Sequence, residues 1–376
     1  MPFNGSGTYT LPGAALADGQ TVSATEHNTL RNDMATALTT CLTRDGQSPA
    51  TANLPMGGFK FTGLAAGSGA GESVRYEQFA SPPAIGGTTP AAGTFTTIIA
   101  DNTAIVNDFR LSLTPNVPVT SSDVTGATSI YFLFYKGNRI SLRVDGKYVT
   151  RTSGELSIVL GTLTANRPYD IFCYDNAGVP TLEILAWTSD TDRATGVVID
   201  AFGVYVKTGD PTRRYIGSFY TTSTTTTEDS YAKRLLFNAY NQVRRPMRKT
   251  DSTFSWTYTT LTYRYANNSA ANRLEYMAGL PGLAADIKCS GRSANSTGDI
   301  SMITAIGFDS GTEAATGGSI AQMTSGANAY ITGVAQFSTT LTPGFHFFSW
   351  LENSDATGTT TWASNSNNGI NGEVMA

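Results

Sequence analysis

The chain is poor in charge and in long apolar runs, and each shortage excludes a class of function. Asp, Glu, Lys and Arg make up 14% of its 376 residues, against roughly 25% in ordinary soluble domains. The formal net charge of −4 argues against a general binder of nucleic acid or of acidic membranes. No apolar run approaches the roughly 20 residues that span a bilayer. Residues 1–10 lack the basic and apolar parts of a secretory signal. We therefore expect no nucleic-acid partner and no membrane insertion.

Residues that commonly carry catalysis or bind metals are scarce. The two histidines, His27 and His346, have no neighbours at the spacing of a catalytic triad or a zinc site. The three cysteines, Cys41, Cys173 and Cys289, lie far apart in sequence and form no Cys-x-x-Cys motif. We expect them to be buried free thiols of a protein made in a reducing cytosol. The sequence thus predicts no catalytic residue, no metal and no cofactor.

Two pairs of carboxylates are the nearest approach to a catalytic motif. Asp190 and Asp192 lie in one Ser/Thr-rich stretch, and Glu228 and Asp229 lie in another. A glycosidase needs two carboxyl groups about 5–10 Å apart on either side of a sugar. Short-range pairs in such stretches are more often turn formers or helix caps, and we expect that role here.

One convincing helix is predicted near the N-terminus. Ser23 and Glu26 have the spacing of a capping box, and Arg44 and Gly46 suit the C-terminal end. At about 18 residues it would be about 27 Å long. Its apolar seam, which we expect to be covered by a partner, consists of Leu30, Met34, Leu38 and Cys41, with Ala37 between them.

Residues 53–67, NLPMGGFKFTGLAAG, are too rich in glycine for a helix. The segment carries one charge, Lys60, among five large apolar side chains: Leu54, Met56, Phe59, Phe61 and Leu64. One chain alone cannot bury these side chains, but three copies around a threefold axis can. At roughly 1.5–2 kcal/mol per side chain, the segment would contribute about 8–10 kcal/mol per chain before entropy. It is therefore a candidate oligomerisation stem, and a connector rich in Pro and Gly follows at 81–100.

From about residue 101 the pattern becomes that of strands. Ile140, Leu142 and Val144 alternate with polar residues, and Asp145-Gly146 predicts a tight hairpin turn. Similar patterns recur up to residue 222 and again from 300 to 352. The spacing of apolar residues predicts a short helix over 229–243, and RRPMRK at 244–249 predicts an exposed linker in preference to a polyanion site. These features place a middle domain at 101–247 and a C-terminal domain at 248–376.

The C-terminal domain holds the candidate receptor-binding residues. Around Phe347 the predicted strand carries apolar side chains on both of its faces, as in a strand covered on both sides. Trp350, Trp362 and Asn367 are the candidates for contact with a receptor. The polar stretches 357–362 and 364–372 either bind sugar through amides beside Trp362 or are ordinary loops.

Several phrases resemble bacteriophage tail fibre and tail spike proteins. The segment DGQSPATANLPMGGFKFTGLAAGSGAGESVRYEQ, residues 45–78, resembles their N-terminal module, with Asn53, Met56, Gly57 and Gly58 in its core motif. Residues 85–98, IGGTTPAAGTFTTI, are similar to a connector in such fibres. The middle region looks like a domain common among them, in phrases such as DVTGATSIYF and RRYIGSFYTTSTTTTEDS. Together the resemblance covers most of residues 20–247; the last 125 residues or so match nothing as closely.

The resemblance implies a homotrimer whose N-terminal region, residues 1–80, attaches to other virion proteins and whose C-terminal domains are distal. The expected fold is mainly β, with a short N-terminal helix and a Gly-rich trimeric stem followed by two β-sandwich-like domains. The expected function is a short, non-enzymatic tail fibre, assembled in the host cytoplasm, that binds a host surface polysaccharide or outer-membrane receptor. Because the shaft is brief, a head or collar fibre without a receptor role is an alternative. A capsule depolymerase is another.

Overall fold

Strands dominate the structure, a computed structural model that describes residues 17–39, 58, 62–66, 105–364 and 367–376. The chain falls into two units, Met1–Thr96 and Thr97–Ala376, and each is described by itself. Within the described ranges there are one α-helix and 25 strands. The expectation of a mainly β protein with a short N-terminal helix is confirmed.

The helix of the first unit, α1, spans Ala24–Thr39 and begins at the predicted capping box. The backbone N–H of Glu26 donates to Ser23 Oγ (3.2 Å), and the backbone N–H of Ser23 donates to Glu26 Oε2 (3.1 Å). Along the seam, Leu30 is half-buried, whereas Met34 and Leu38 are exposed. Cys41 and the predicted end of the helix lie outside the described residues.

Most of the predicted stem lies outside the described residues. Gly58 and Gly63 have φ angles of 88° and 71°, which L-residues other than glycine rarely adopt. A Cβ at either position would meet no atom within 4 Å in this chain, so the backbone conformation is what requires glycine there. Leu64 is 38% exposed. Leu54, Met56, Phe59, Phe61 and the connector at 81–100 lie outside the described residues.

All 25 strands lie in the second unit. The first twelve are β1 (Phe109–Ser112), β2 (Val124–Ala127), β3 (Ser129–Phe134), β4 (Arg139–Val144), β5 (Lys147–Thr152), β6 (Leu156–Val159), β7 (Pro168–Asn176), β8 (Val179–Ala186), β9 (Val197–Ile199), β10 (Tyr205–Lys207), β11 (Asp210–Tyr220) and β12 (Thr227–Asp229). The others are β13 (Lys233–Arg234), β14 (Leu236–Asn238), β15 (Arg244–Lys249), β16 (Ser255–Thr257), β17 (Arg264–Tyr265), β18 (Arg273–Ala278), β19 (Leu283–Asn295), β20 (Met302–Phe308), β21 (Ala321–Met323), β22 (Ile331–Leu341), β23 (Gly344–Ser354), β24 (Thr360–Ala363) and β25 (Gly369–Met375). A 3₁₀ turn, Ala266–Asn268, follows β17.

The strands form four sheets and one hairpin. The sheets have the orders β1-β3-β6, β8-β7-β11-β10-β9 with β14 beside β11, β2-β12-β13-β18-β23-β20-β21 with β17 beside β23, and β15-β25-β19-β24-β16 with β22 beside β19. Strands β4 and β5 pair as the predicted hairpin, and Asp145 and Gly146 at its turn both have positive φ. Strand β23 lies between β18 and β20, and none of its residues is exposed, as its two apolar faces predict.

The predicted division at 247/248 is wrong because it falls inside a strand. Residues 244–249 are β15, which pairs with β25 along its whole length, so RRPMRK is not a linker. Strand β13 pairs in parallel with β18 across the same boundary. One core cluster also contains Phe172 and Tyr215 together with Trp350. The two predicted β domains therefore share a sheet and a core.

The predicted helix over 229–243 is also wrong. This stretch forms β13 and β14, which lie deep in the molecule, and Leu235, Leu236 and Phe237 are all buried. Three consecutive buried residues hide the alternation that indicates a strand, and the remaining apolar residues happened to match helical spacing.

Candidate functional site

The sheet face formed by β15, β25, β19 and β22 presents a polar surface to solvent. Along β15 the side chains of Arg244, Pro246 and Arg248 are exposed, whereas Arg245 and Met247 are buried. The same alternation on β19 and β22 turns apolar residues such as Ile287 and Phe337 into the core. Among these four strands β15 and β22 lie at the edges, and a proline is tolerated in an edge strand.

Strand register sets the outward side chains in rows across the sheet. One row contains two cations and two amides, each in register with the next: Arg248, Asn371, Lys288 and Gln336. Adjacent strands are about 4.8 Å apart, so the row is roughly 14 Å long. It offers regularly spaced hydrogen-bond donors and acceptors to a ligand that lies across the strands.

The neighbouring row carries the carboxylates. Glu373 and Asp286 are register partners, and Ser338 follows Asp286. Like charges directly opposite one another destabilise a sheet, and Arg244 relieves this pair because its Nη2 lies 2.5 Å from Glu373 Oε2. Two carboxylates therefore stand on an open surface with one cation beside them.

A concave groove follows these rows. Its central part, lined by residues of all four strands from Arg244 to Ser338, has a volume of about 580 Å³. Through Asn371 it adjoins a pocket of about 180 Å³, and that pocket shares Arg248, Lys249 and Thr250 with a depression of about 530 Å³. Through Ser338 it adjoins a further depression of about 350 Å³. We call these four neighbouring concavities, which share lining residues, the sheet-face groove.

An aromatic ring lies at each end of the sheet-face groove. Beyond β15, Tyr231 is 41% exposed, and the guanidinium of Arg234 covers one face of its ring at 5.2 Å. The backbone holds Tyr231 in place, since its N–H donates to Asp123 Oδ1 (2.7 Å) and its carbonyl accepts from the N–H of Arg248 (2.8 Å). Beyond β22, the half-buried ring of Phe308 stacks on His346 and packs against Phe337.

A buried ion cluster anchors the edge strand beneath the groove. Asp229 binds Arg234 Nη1 and Arg245 Nη2 at 2.9 Å each, and Thr120 Oγ1 donates to the same carboxylate (3.1 Å). Burial lowers the pKa of Arg245, and Asp229 partly offsets this. Nearby, burial together with the charge of Arg245 lowers the pKa of Arg110 to about 10. The cluster fixes which residues of β15 face inward.

The structure separates the three predicted receptor-binding residues. Trp350 and Trp362 are 0% and 1% exposed, and their indole N–H groups donate to Thr304 Oγ1 and to the carbonyl of Tyr258. These tryptophans are core residues, and such positions are at odds with contact to a receptor. Asn367 is exposed and lines the 180 Å³ pocket, so the structure brings this one candidate into the groove.

The other groove residues were not predicted as site residues: 244–249 was interpreted as a linker, 364–372 as a loop, and the strand predicted around Gln336 carried no binding prediction. The stretches 357–362 and 364–372 contain most of β24 and part of β25. Strand β19 shows a long alternation, with Asp286 and Lys288 outward among buried Ala285, Ile287 and Cys289. That period-2 pattern was the signal that could have identified this sheet face.

The predicted carboxylate pairs have structural contacts. Asp192 Oδ2 accepts from Ser189 Oγ within a turn (2.7 Å), and Asp229 belongs to the ion cluster.

Cys173 and Cys289 are buried free thiols, and burial raises the pKa of Cys173 to about 12. No group of three or more His, Cys, Asp or Glu side chains suited to a metal ion occurs among the described residues. In the same ranges, no helix is both long and apolar enough to cross a membrane.

Comparisons with known proteins add little. No family model and no curated protein matches the chain. Among solved structures, Eiger TNF from S. frugiperda aligns at 8% identity and a TM-score of 0.24 over 36% of this chain and 92% of its own. The isomalto-dextranase of Arthrobacter globiformis T6 aligns at 15% identity and a TM-score of 0.17, over 56% of this chain and 35% of its own. The Cry8Ea1 delta-endotoxin of Bacillus thuringiensis aligns at 8% identity and a TM-score of 0.20, over 71% of this chain and 51% of its own. At such TM-scores these likenesses carry no argument about fold or function.

Proposed function

We propose that the chain is a non-enzymatic, receptor-binding appendage of a phage virion that binds a surface polysaccharide in the sheet-face groove. The observation that carries the binding part is the groove itself, a series of neighbouring polar concavities along four strands, with the exposed ring of Tyr231 at one end. The resemblance of residues 45–78 and 85–98 to phage fibre proteins supports the virion part. Attachment through the N-terminal region and threefold assembly belong to the same proposal.

The chemistry of the groove suits an extended sugar chain. Sugar hydroxyls both donate and accept hydrogen bonds, and the amides of Asn371 and Gln336 with the charges of Lys288 and Asp286 supply both kinds of partner. The exposed ring of Tyr231 provides an apolar face against which a sugar ring can pack. A shallow, open groove gives modest affinity, which several copies on one particle multiply.

Binding of the full-length protein to an array of bacterial surface polysaccharides tests this proposal. We expect at least one polysaccharide to bind, and the double variant Asn371→Ala, Gln336→Ala to weaken that binding about tenfold because two amides in the central row are lost. Asn176→Ala, which removes an exposed amide from β7 on another sheet, is the matched control and should bind like wild type. Absence of binding to every polysaccharide, or equal binding by the double variant, would contradict the proposal.

One observation favours a second candidate, hydrolysis of the bound polysaccharide. Asp286 and Glu373 are register partners on the groove surface, which is close enough for a pair of glycosidase carboxyls. Neither lies in the enclosed apolar surroundings that keep a catalytic acid protonated, so we place binding first. Release of reducing ends from the bound polysaccharide, abolished by Asp286→Asn, would favour hydrolysis over binding alone.

A further inference from the structure

A second aromatic surface lies on the same sheet face as the groove, further along β19 and β22. Arg292 follows Lys288 by four residues on β19, so the two side chains lie on one face of the sheet. Tyr330 directly precedes β22 and takes the next outward position of that strand. At roughly 3.3 Å per residue, Tyr330 is about 20 Å along the strand from Gln336 of the groove. This surface therefore lies beyond the sheet-face groove.

The side chains of Tyr330 and Arg292 form a stacked pair that is open to solvent. Arg292 Cζ lies 4.4 Å from the centroid of the tyrosine ring, so the guanidinium covers part of the ring. Tyr330 is nevertheless 45% exposed, and Val334, two outward positions further along β22, is 52% exposed. We call Tyr330, Arg292 and Val334 the Tyr330 platform.

A hydrogen-bonded turn holds Tyr330 in place. Within this turn, Ser325 Oγ donates to the carbonyl of Ala329 (2.7 Å). The N–H of Asn328 donates to the carbonyl of Asn295 at the end of β19 (2.7 Å), and Asn295 is buried. Because the turn is tied to a buried residue of the sheet, little ordering of the backbone around Tyr330 is needed when a ligand binds.

The guanidinium of Arg292 keeps its hydrogen-bond donors available. Within the described residues it forms neither an ion pair nor a hydrogen bond, and its contact is the ring of Tyr330. Its register neighbours Thr332 and Ala363 are uncharged, and the nearest carboxylate along β19 is Asp286, six residues away. A guanidinium carries five N–H donors. The Tyr330 platform therefore combines an apolar surface with donors that face a ligand beside it.

We propose that the Tyr330 platform is a second sugar subsite, which holds one pyranose ring of the polysaccharide bound in the sheet-face groove. The inference rests on the proposed function for the identity of the ligand. The C–H face of the sugar packs against Tyr330 and Val334, and Arg292 donates to its hydroxyl or carboxylate oxygens. A wholly apolar partner would leave the guanidinium covered without a hydrogen bond, which favours a sugar.

Saturation-transfer NMR on the full-length protein tests the platform with small sugars. The probes are the methyl glycosides of glucose, galactose, mannose and glucuronate at millimolar concentration, which represent neutral and acidic rings. We expect at least one of them to receive transfer, mainly at the ring C–H protons that face Tyr330. Absence of transfer to all four probes would overturn the inference.

Three variants assign the signal to the platform. Tyr330→Ala should weaken binding of that sugar about tenfold, because the apolar surface is lost. Tyr330→Phe keeps the ring and should bind like wild type. Tyr135→Ala removes a tyrosine of similar exposure, 38%, outside the sheet-face groove, and as the matched control should leave the signal unchanged. A signal that persists at full strength in Tyr330→Ala, or that falls equally in Tyr135→Ala, would also overturn the inference.

The polysaccharide array separates this inference from the proposed function. A polysaccharide that binds wild type and Tyr330→Ala equally would remove the second subsite and leave the proposed function in place. Transfer to a small sugar that depends on Tyr330, without binding of any polysaccharide, would retain the sugar site and remove the proposed function.

Discussion

At the scale of single residues, His346 has a hydrogen-bond partner at each of its two ring nitrogens. Its Nε2 lies 2.9 Å from the carbonyl oxygen of Thr342 and its Nδ1 lies 2.8 Å from Asp309 Oδ2. Both neighbours are acceptors, so both ring nitrogens are best satisfied when each carries a proton. Burial opposes the charged ring, but the hydrogen bonds to Asp309 and Thr342 outweigh it and raise the pKa of His346 above its ordinary value of 6.5.

The raised pKa of His346 predicts a pH dependence of stability. Because the folded-state pKa exceeds the unfolded value, the stabilisation is fully present below pH 6.5 and is lost as the pH rises through the folded pKa. NMR titration should give His346 a pKa above 6.5, and Asp309→Asn should lower it. The sequence contains one other histidine, His27, so His346→Gln assigns the two signals. A titration of His346 at or below 6.5 in the wild-type protein would contradict this prediction.

At the scale of elements, β15 shows why part of the fold was predictable and part was not. Strands with an apolar inward face, such as β4 with Ile140 and Leu142, follow directly from alternation. In β15 the inward residues are Arg245 and Met247, and a buried arginine makes the alternation look like an exposed basic run. The partner that makes its burial possible is Asp229, which the sequence alone cannot place beside it.

The candidate site was likewise predictable only in part. Asn367 was predicted because amide-rich stretches near tryptophans suit sugars, and the structure places it in the groove. Trp350 and Trp362 were predicted for their chemistry, but an aromatic residue on a strand covered on both faces belongs to the core. Which face of a strand meets solvent depends on the pairing of sheets, and a single chain's pattern shows this only where one face is polar.

The anchoring of β15 predicts a large loss of stability when Asp229 is neutralised. Asp229→Asn presents an amide nitrogen to Arg245 and leaves two buried arginines without their counter-ion, which should lower the free energy of unfolding by about 3–5 kcal/mol. Glu373→Gln is the matched control, because it removes a carboxylate from an exposed ion pair with the same strand and should change stability by less than about 1 kcal/mol. Urea unfolding measures both. Similar losses in the two variants would show that the buried cluster does not anchor the strand.

At the scale of the whole molecule, the proposed function depends on several copies acting together. The groove is open and shallow along its length, and such surfaces bind single sugar chains with modest affinity. Presentation on a common stem raises the effective concentration of each further site once one has bound. The helix seam, where Met34 and Leu38 are exposed, and the apolar residues of 53–67 are the parts of the chain that would hold copies together.

Assembly is therefore tested by mass in solution, measured by light scattering on the full-length chain and on a chain that begins at Ala100. We expect the full-length protein to have three times the 39.8 kDa mass of the chain, because Leu54, Met56, Phe59, Phe61 and Leu64 gain an apolar environment when three copies meet. The shortened chain retains nearly all of the second unit and should be a monomer. A trimer that persists after truncation would move the oligomerising surface to the β sheets. A full-length monomer would exclude the threefold stem, and the avidity on which the proposed function relies would then have to come from the virion alone.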